Sequence, residues 1–74
     1  MNRKLAMNLI SDETARIQEI EDKYNSFHEA SAVIREEYEE LWDEIKMKHH
    51  DVGKIQFEAV HLAAVTLRLL IELW

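Results

Sequence analysis

Cysteine and proline are absent from this chain, and glycine occurs once, at Gly53. The missing cysteine rules out disulfides and thiolate metal sites and leaves the redox compartment open. The missing proline and the single glycine remove almost every interruption to helix propagation, while Glu, Lys, Leu and Ala are abundant. A long apolar run is lacking too: the stretch from Leu62 to Trp74 is short and broken by Arg68 and Glu72, so no transmembrane span is expected. Positive charge is scarce, with 9 Lys and Arg against 15 Asp and Glu, for a net charge of −6. That balance argues against a nucleic-acid polymer or an anionic membrane as partner. The opening MNRKLAMNLI is too short and too quickly acidic for a signal peptide, and a cytoplasmic protein is expected.

What is present is enough for one folded domain. The chain has 74 residues, 47% of them hydrophobic, which suits a single domain over residues 1–74 and excludes disorder. A core of this size supplies only marginal stability, so a metal, a partner subunit or both are expected to make up the deficit. The expected class is all-α, a three-helix chain with an antiparallel helical hairpin that completes a bundle through oligomerisation. Ser26-Phe27-His28-Glu29 reads as a capping box, with Ser26 as N-cap and Glu29 reaching back to its amide. The helix it starts should run to about His49, where Lys46, Lys48, His49 and His50 suit a helix C-terminus. Asp51 or Gly53 marks a short turn before a helix over 52–74. Ahead of the pair, within residues 1–25, Ser11 or Asp12 can cap a helix reaching Lys23 or Tyr24. Residues 1–10 either extend it or stand apart.

Helical spacing assigns the faces. Phe27, Ser31, Ile34, Tyr38, Leu41 and Ile45 form a 4-3-4-3-4 stripe expected to be the core face of the middle helix, with Glu37, Glu40 and Glu44 along its edge. The last helix is apolar around most of its circumference, with one narrow polar stripe of Lys54, Glu58, His61, Arg68 and Glu72. A helix of that kind buries one face against the hairpin and the other against a second subunit. Trp42 and Trp74 suit packing or subunit contacts, and Arg68 with Glu72 reads either as an exposed i, i+4 ion pair or as a phosphate contact.

Glu36-Glu37-Tyr38-Glu39-Glu40 is E-E-x-x-E, and Glu58-Ala59-Val60-His61 is E-x-x-H. Each places two ligand-type side chains on one helix face. In an antiparallel hairpin the two pairs meet at one level. Packed carboxylates repel unless a cation lies among them, and hard oxygen donors suit Mg²⁺ or Mn²⁺. The stretches HEASAVIREEYEELWDEIK and FEAVHLAAVTLRLLIEL, within residues 27 to 73, resemble the MazG-like nucleoside triphosphate pyrophosphohydrolases, especially the short phage-encoded type. That family carries E-E-x-x-E on one helix and E-x-x-D on the next. The resemblance implies Mg²⁺-dependent hydrolysis of a nucleoside triphosphate to monophosphate and pyrophosphate in a homodimer or dimer of dimers. It implies Glu37, Glu40 and Glu58 as metal ligands, His61 in the place of the family's Asp as the fourth, and Glu36 as the first acid of the motif beside Glu37. Imidazole in that place favours Mn²⁺ over Mg²⁺. Lys54 and Arg68 are candidate phosphate contacts. Two other functions fit the same residues: a carboxylate and histidine di-metal bundle built on Glu58 and His61, and an inactive helical interaction module whose acids face solvent.

Overall fold

The computed structural model describes every residue from Met1 to Trp74 and is all-α: α1 spans Arg3–Ile20, α2 Phe27–Ile45 and α3 Val52–Leu73, with no strands. None of the three is long and apolar enough to cross a membrane. α3 packs against both α1 and α2, whereas α1 and α2 do not meet. Their separation leaves a cleft over the inner face of α3.

Two of the three helix starts agree with the sequence. The Ser26 hydroxyl accepts the Glu29 N–H at 3.1 Å, and the Asp51 carboxylate accepts the Lys54 N–H at 3.2 Å. The Glu29 carboxylate reaches back one residue further than expected, to the backbone and side-chain nitrogens of Asn25. At the end of α2, His50 Nε2 donates to the Ile45 carbonyl at 2.9 Å, so one of the two histidines closes the helix by a direct bond. Gly53 is not a turn residue: it lies in the first turn of α3, and no residue of the chain has a positive φ.

The first helix differs from expectation at both ends. Its N-cap is Asn2, whose side chain accepts the Leu5 N–H at 2.8 Å, and Ser11 and Asp12 lie in mid-helix on exposed positions. Residues 3–10 therefore belong to α1. The helix stops at Ile20 because the following segment has other work. Tyr24 is buried, its backbone N–H donates to Glu72 at 2.8 Å, and its hydroxyl donates to the Val65 carbonyl at 3.1 Å.

The faces of α2 and α3 are also turned. On α2 the residues facing inward are Ala30, Val33, Ile34, Glu37, Leu41 and Glu44, while Phe27, Tyr38 and Ile45 are 40–56% exposed. The inward stripe shares Ile34 and Leu41 with the one read from the large apolar side chains and is rotated from it by roughly 70° at about 100° per residue. Ala30 and Ala64 are both fully buried, and small side chains there let the chain pack closely. On α3 the polar stripe points inward: Glu58 and His61 are half-buried and Arg68 is buried, while Phe57, Leu70, Ile71 and Trp74 are exposed. The buried core is small, with Ile17, Ala64 and Val65 at its centre and Val33, Ile34 and Leu62 packed around them.

Arg68 and Glu72 are consequently a buried pair rather than an exposed one. Their side chains are 4% and 2% exposed, with Arg68 Nε 2.7 Å from Glu72 Oε2. Arg68 also donates to the Asp22 carbonyl at 3.0 Å and lies over the Tyr24 ring, 4.2 Å from its centre. Glu72 accepts from Gln18 Nε2 at 3.1 Å as well. The Arg68 guanidinium, followed by the bonds from Tyr24 and Gln18, overcomes the effect of burial and holds the Glu72 carboxyl down at about 2. A carboxyl depressed from 4.5 contributes stability that is present above about pH 4.5 and is lost as the pH falls toward 2, roughly 3 kcal/mol in all.

Arg68→Met is therefore expected to cost about 3–5 kcal/mol, because it strands a buried carboxylate. Adding Glu72→Leu should recover part of that loss, since no lone charge is then left inside. Urea denaturation of the single and double variants checks both; a single variant as stable as the parent would refute the anchoring role.

Candidate metal centre

Glu37 and Glu40 stand one turn apart on α2, and Glu58 faces them from α3. One oxygen from each lies within 4.8 Å of the others. Two carboxylates at such a separation repel by roughly 3 kcal/mol at an effective dielectric constant of about 20, less at Glu40, which is exposed. Glu37 Oε2 and Glu58 Oε2 are buried and have no hydrogen-bond partner. A buried carboxylate oxygen without a donor costs free energy, so both oxygens call for a proton or a cation. Their proton affinities follow. Burial, reinforced by Glu40 and Glu58 and opposed by His61, pushes the Glu37 carboxyl up to about 7. Burial and then the neighbouring Glu40 raise that of Glu58. Three converging carboxylates, two of which carry an orphaned oxygen, fit a hard divalent cation.

His61 stands beside this triad and is not one of its three members. Its Nε2 is 3.4 Å from Glu37 Oε1. Its Nδ1 is 2.7 Å from Glu13 Oε2 on α1. The Phe57 ring stacks along the imidazole with centroids 6.0 Å apart. Glu13 is in turn gripped by Arg16, which donates from Nε at 2.6 Å and from Nη2 at 2.9 Å. Arg16, ahead of His61, outweighs burial and brings the Glu13 carboxyl down to about 2. Glu44, which helical spacing sets on the acidic edge with Glu37 and Glu40, is half-buried, and its charge adds to the rise at Glu58; Glu13 was not singled out from the sequence. Glu13 has no local motif, and its partner lies on a distant helix.

The remaining candidates fall elsewhere. Glu36 is exposed and outside the triad. Lys54 is exposed in the first turn of α3, on the same helical face as Glu58 and His61, and makes no ion pair. Arg68 is a correction: Nε and Nη2 of its guanidinium are already bonded to Glu72 and the Asp22 carbonyl, so it anchors the fold instead of waiting for a phosphate. Between α1 and α2 a cleft of about 320 Å³, lined in part by Ile20, Tyr24, Val33 and Val65, has Glu37 and His61 in its wall.

Comparison of the chain with protein-family models, with curated proteins and with solved structures finds no match.

The raised Glu37 carboxyl gives a pH dependence of the opposite sign to that of Glu72. A carboxyl whose folded value is raised contributes stability that is fully present below about pH 4.5 and is lost as the pH rises through about 7. In the absence of divalent cations the melting temperature is expected to fall between pH 5 and pH 8, by several degrees at roughly 4–8 °C per kcal/mol. Glu37→Gln should flatten the curve in that window. A parent protein whose melting temperature is flat or rises from pH 5 to pH 8 would contradict the buried-carboxyl assignment.

Proposed function

We propose that this chain is a metal-dependent pyrophosphohydrolase that cleaves a nucleoside triphosphate to the monophosphate and pyrophosphate. The observation that carries the reading is the convergence of Glu37, Glu40 and Glu58 with two oxygens buried and unbonded, on residues that resemble the E-E-x-x-E and E-x-x-D pattern of the MazG-like family. Those three residues would hold Mg²⁺ or Mn²⁺. A divalent cation there supplies charge neutralisation for a triphosphate and acidifies water at neutral pH. Glu37 keeps its catalytic assignment beside its ligand role through the family pattern; a bound cation would hold ionised the carboxyl whose proton affinity burial raises in the cation's absence. The cleft beside it is the place for the nucleoside, and Lys54, the unpaired cation on the face of Glu58, suits the polyphosphate. Glu36 stays in the proposal through the family pattern alone.

The architecture proposed with this function is an antiparallel α2–α3 hairpin completed by a second copy. The side-chain pairings support the hairpin: moving from Glu37 to Glu40 along α2 moves the partner back from His61 to Glu58 along α3. Exposed area supports the second copy. A globular monomer of 8.8 kDa exposes roughly 4,800 Å², whereas this chain exposes 5699 Å². The excess is close to the roughly 800 Å² that each partner contributes to a stable interface. A di-metal bundle protein is a second reading, favoured by Glu58 and His61 lying together at the triad; iron content with an oxygen-dependent absorbance would distinguish it.

A panel of nucleoside triphosphates with Mg²⁺ or Mn²⁺, scored for pyrophosphate release, tests the activity. Turnover is expected to be faster with Mn²⁺, and Glu58→Gln should lower it by at least the 10- to 100-fold typical of a metal ligand's outer partners. His61→Asp should shift the preference toward Mg²⁺. Absence of pyrophosphate release with every nucleotide and either ion would overturn the proposal.

Light scattering at micromolar concentration is expected to give at least twice the chain mass. A clean monomer of 8.8 kDa would remove the second copy.

A further inference from the structure

Glu13 lies on α1, outside the two helices that carry the carboxylate triad, yet it makes the shortest polar contact of His61. The protonation pattern of that contact follows from the other side of Glu13. Arg16 donates to both carboxylate oxygens, Nε to Oε1 and Nη2 to Oε2. A carboxylate held in such a fork is ionised and has only lone pairs to offer. The hydrogen in the 2.7 Å contact with His61 must therefore be on Nδ1. A neutral imidazole carries one N–H, so Nε2 keeps its lone pair. That nitrogen is the one facing Glu37, at 3.4 Å.

We infer that Glu13 is a positioning residue: it fixes His61 as the Nδ1–H tautomer and thereby presents the Nε2 lone pair to the carboxylate triad of α2 and α3. Arg16 and Phe57 complete the support, the first by keeping Glu13 ionised and the second by stacking along the ring. The arrangement is the carboxylate–histidine pairing that orients imidazole ligands toward metals, in which the outer carboxylate fixes the tautomer and raises the basicity of the other nitrogen. Its consequence for cation binding rests on the metal reading of Glu37, Glu40 and Glu58. The tautomer itself does not. His50 supplies an internal contrast, because its Nε2 lies 2.9 Å from the Ile45 carbonyl and must be the protonated nitrogen there.

The test is a long-range ¹⁵N–¹H spectrum of the four histidines at about pH 9, where imidazoles are neutral, with His61→Gln used to assign the His61 signals. A protonated ring nitrogen resonates far upfield of a bare one, so the tautomer is read directly. The parent protein is expected to show His61 protonated on Nδ1 and His50 protonated on Nε2. Glu13→Leu should release His61 to the Nε2–H form, and Glu13→Gln, which keeps an acceptor oxygen, should restore Nδ1–H. Calorimetric titration with Mn²⁺ alone should show Glu13→Leu binding about 10- to 100-fold more weakly and Glu13→Gln close to the parent. A parent His61 protonated on Nε2 overturns the inference, whatever the variants do, and so does a Glu13→Leu protein that keeps both the tautomer and the Mn²⁺ affinity. A parent that binds neither Mn²⁺ nor Mg²⁺ while showing Nδ1–H overturns the metal reading and leaves the positioning of His61 standing.

Discussion

A guanidinium buried in so short a chain has to find every partner within a few ångströms, and Arg68 finds them on its own helix and on the joint between α1 and α2. Glu72 lies one turn along α3, the Asp22 carbonyl belongs to the joint after α1, and the Tyr24 ring closes over the top. Burying an ion pair gains little over a well-packed apolar pair of the same shape. What this one provides is registration. Glu72 accepts from Arg68, Tyr24 and Gln18 together, so the C-terminal half of α3, the end of α1 and the joint that leads into α2 are fixed by one carboxylate. The N-terminal half of α3 is thereby held where Glu58 faces α2 and His61 reaches both neighbours.

The class and the number of helices were legible because nothing in the chain opposes a helix and because Ser26 and Asp51 are strong caps. The Glu37 and Glu40 pair was legible for a related reason: i, i+3 spacing is a property of one helix and survives any error about how helices pack, whereas Glu58 joins them only through the pairing of α2 with α3. The errors came where a choice between faces depended on a neighbour. Phe27, Tyr38 and Ile45 are more hydrophobic than Ala30 and Glu37, yet the helix turned Ala30 and Glu37 inward, with Val33 and Ile34 packed against Ala64 and Val65 of α3 and Ile17 of α1. Periodicity reports that a helix has an apolar face. Which of two candidate faces is buried depends on residues distant in sequence. Glu13 was invisible for the same reason, its role being defined by His61 on another helix. Asn2 is different, since an N-cap is a local signal; Ser11 and Asp12, equally good formers of caps, masked it.

The polar stripe of α3 gives this small domain an interior of unusual chemistry. Glu37, Glu58, His61, Arg68 and Glu72 are all half-buried or buried, while large apolar side chains cover much of the outside. At one end the charges are balanced by a cation of the chain itself, Arg68. At the other they are not: the negative charge of Glu37, Glu40 and Glu58 exceeds what one imidazole can offset, and two oxygens lack donors. The same helix is thus electrostatically complete toward its C-terminus and incomplete toward its N-terminus, and the incomplete end is where binding energy remains to be gained.

The backbone has a consequence of a different kind. No residue has a positive φ, and a Cβ added at Gly53 would meet only a side-chain oxygen of Asp51, at 3.5 Å. No position therefore depends on glycine's conformational freedom. Systematic replacement along this chain would report on side chains alone, without the backbone strain that complicates such scans in proteins with tight glycine turns. For a molecule whose interior is governed by charge, that makes it a clean host in which to measure what each buried ionisable group contributes.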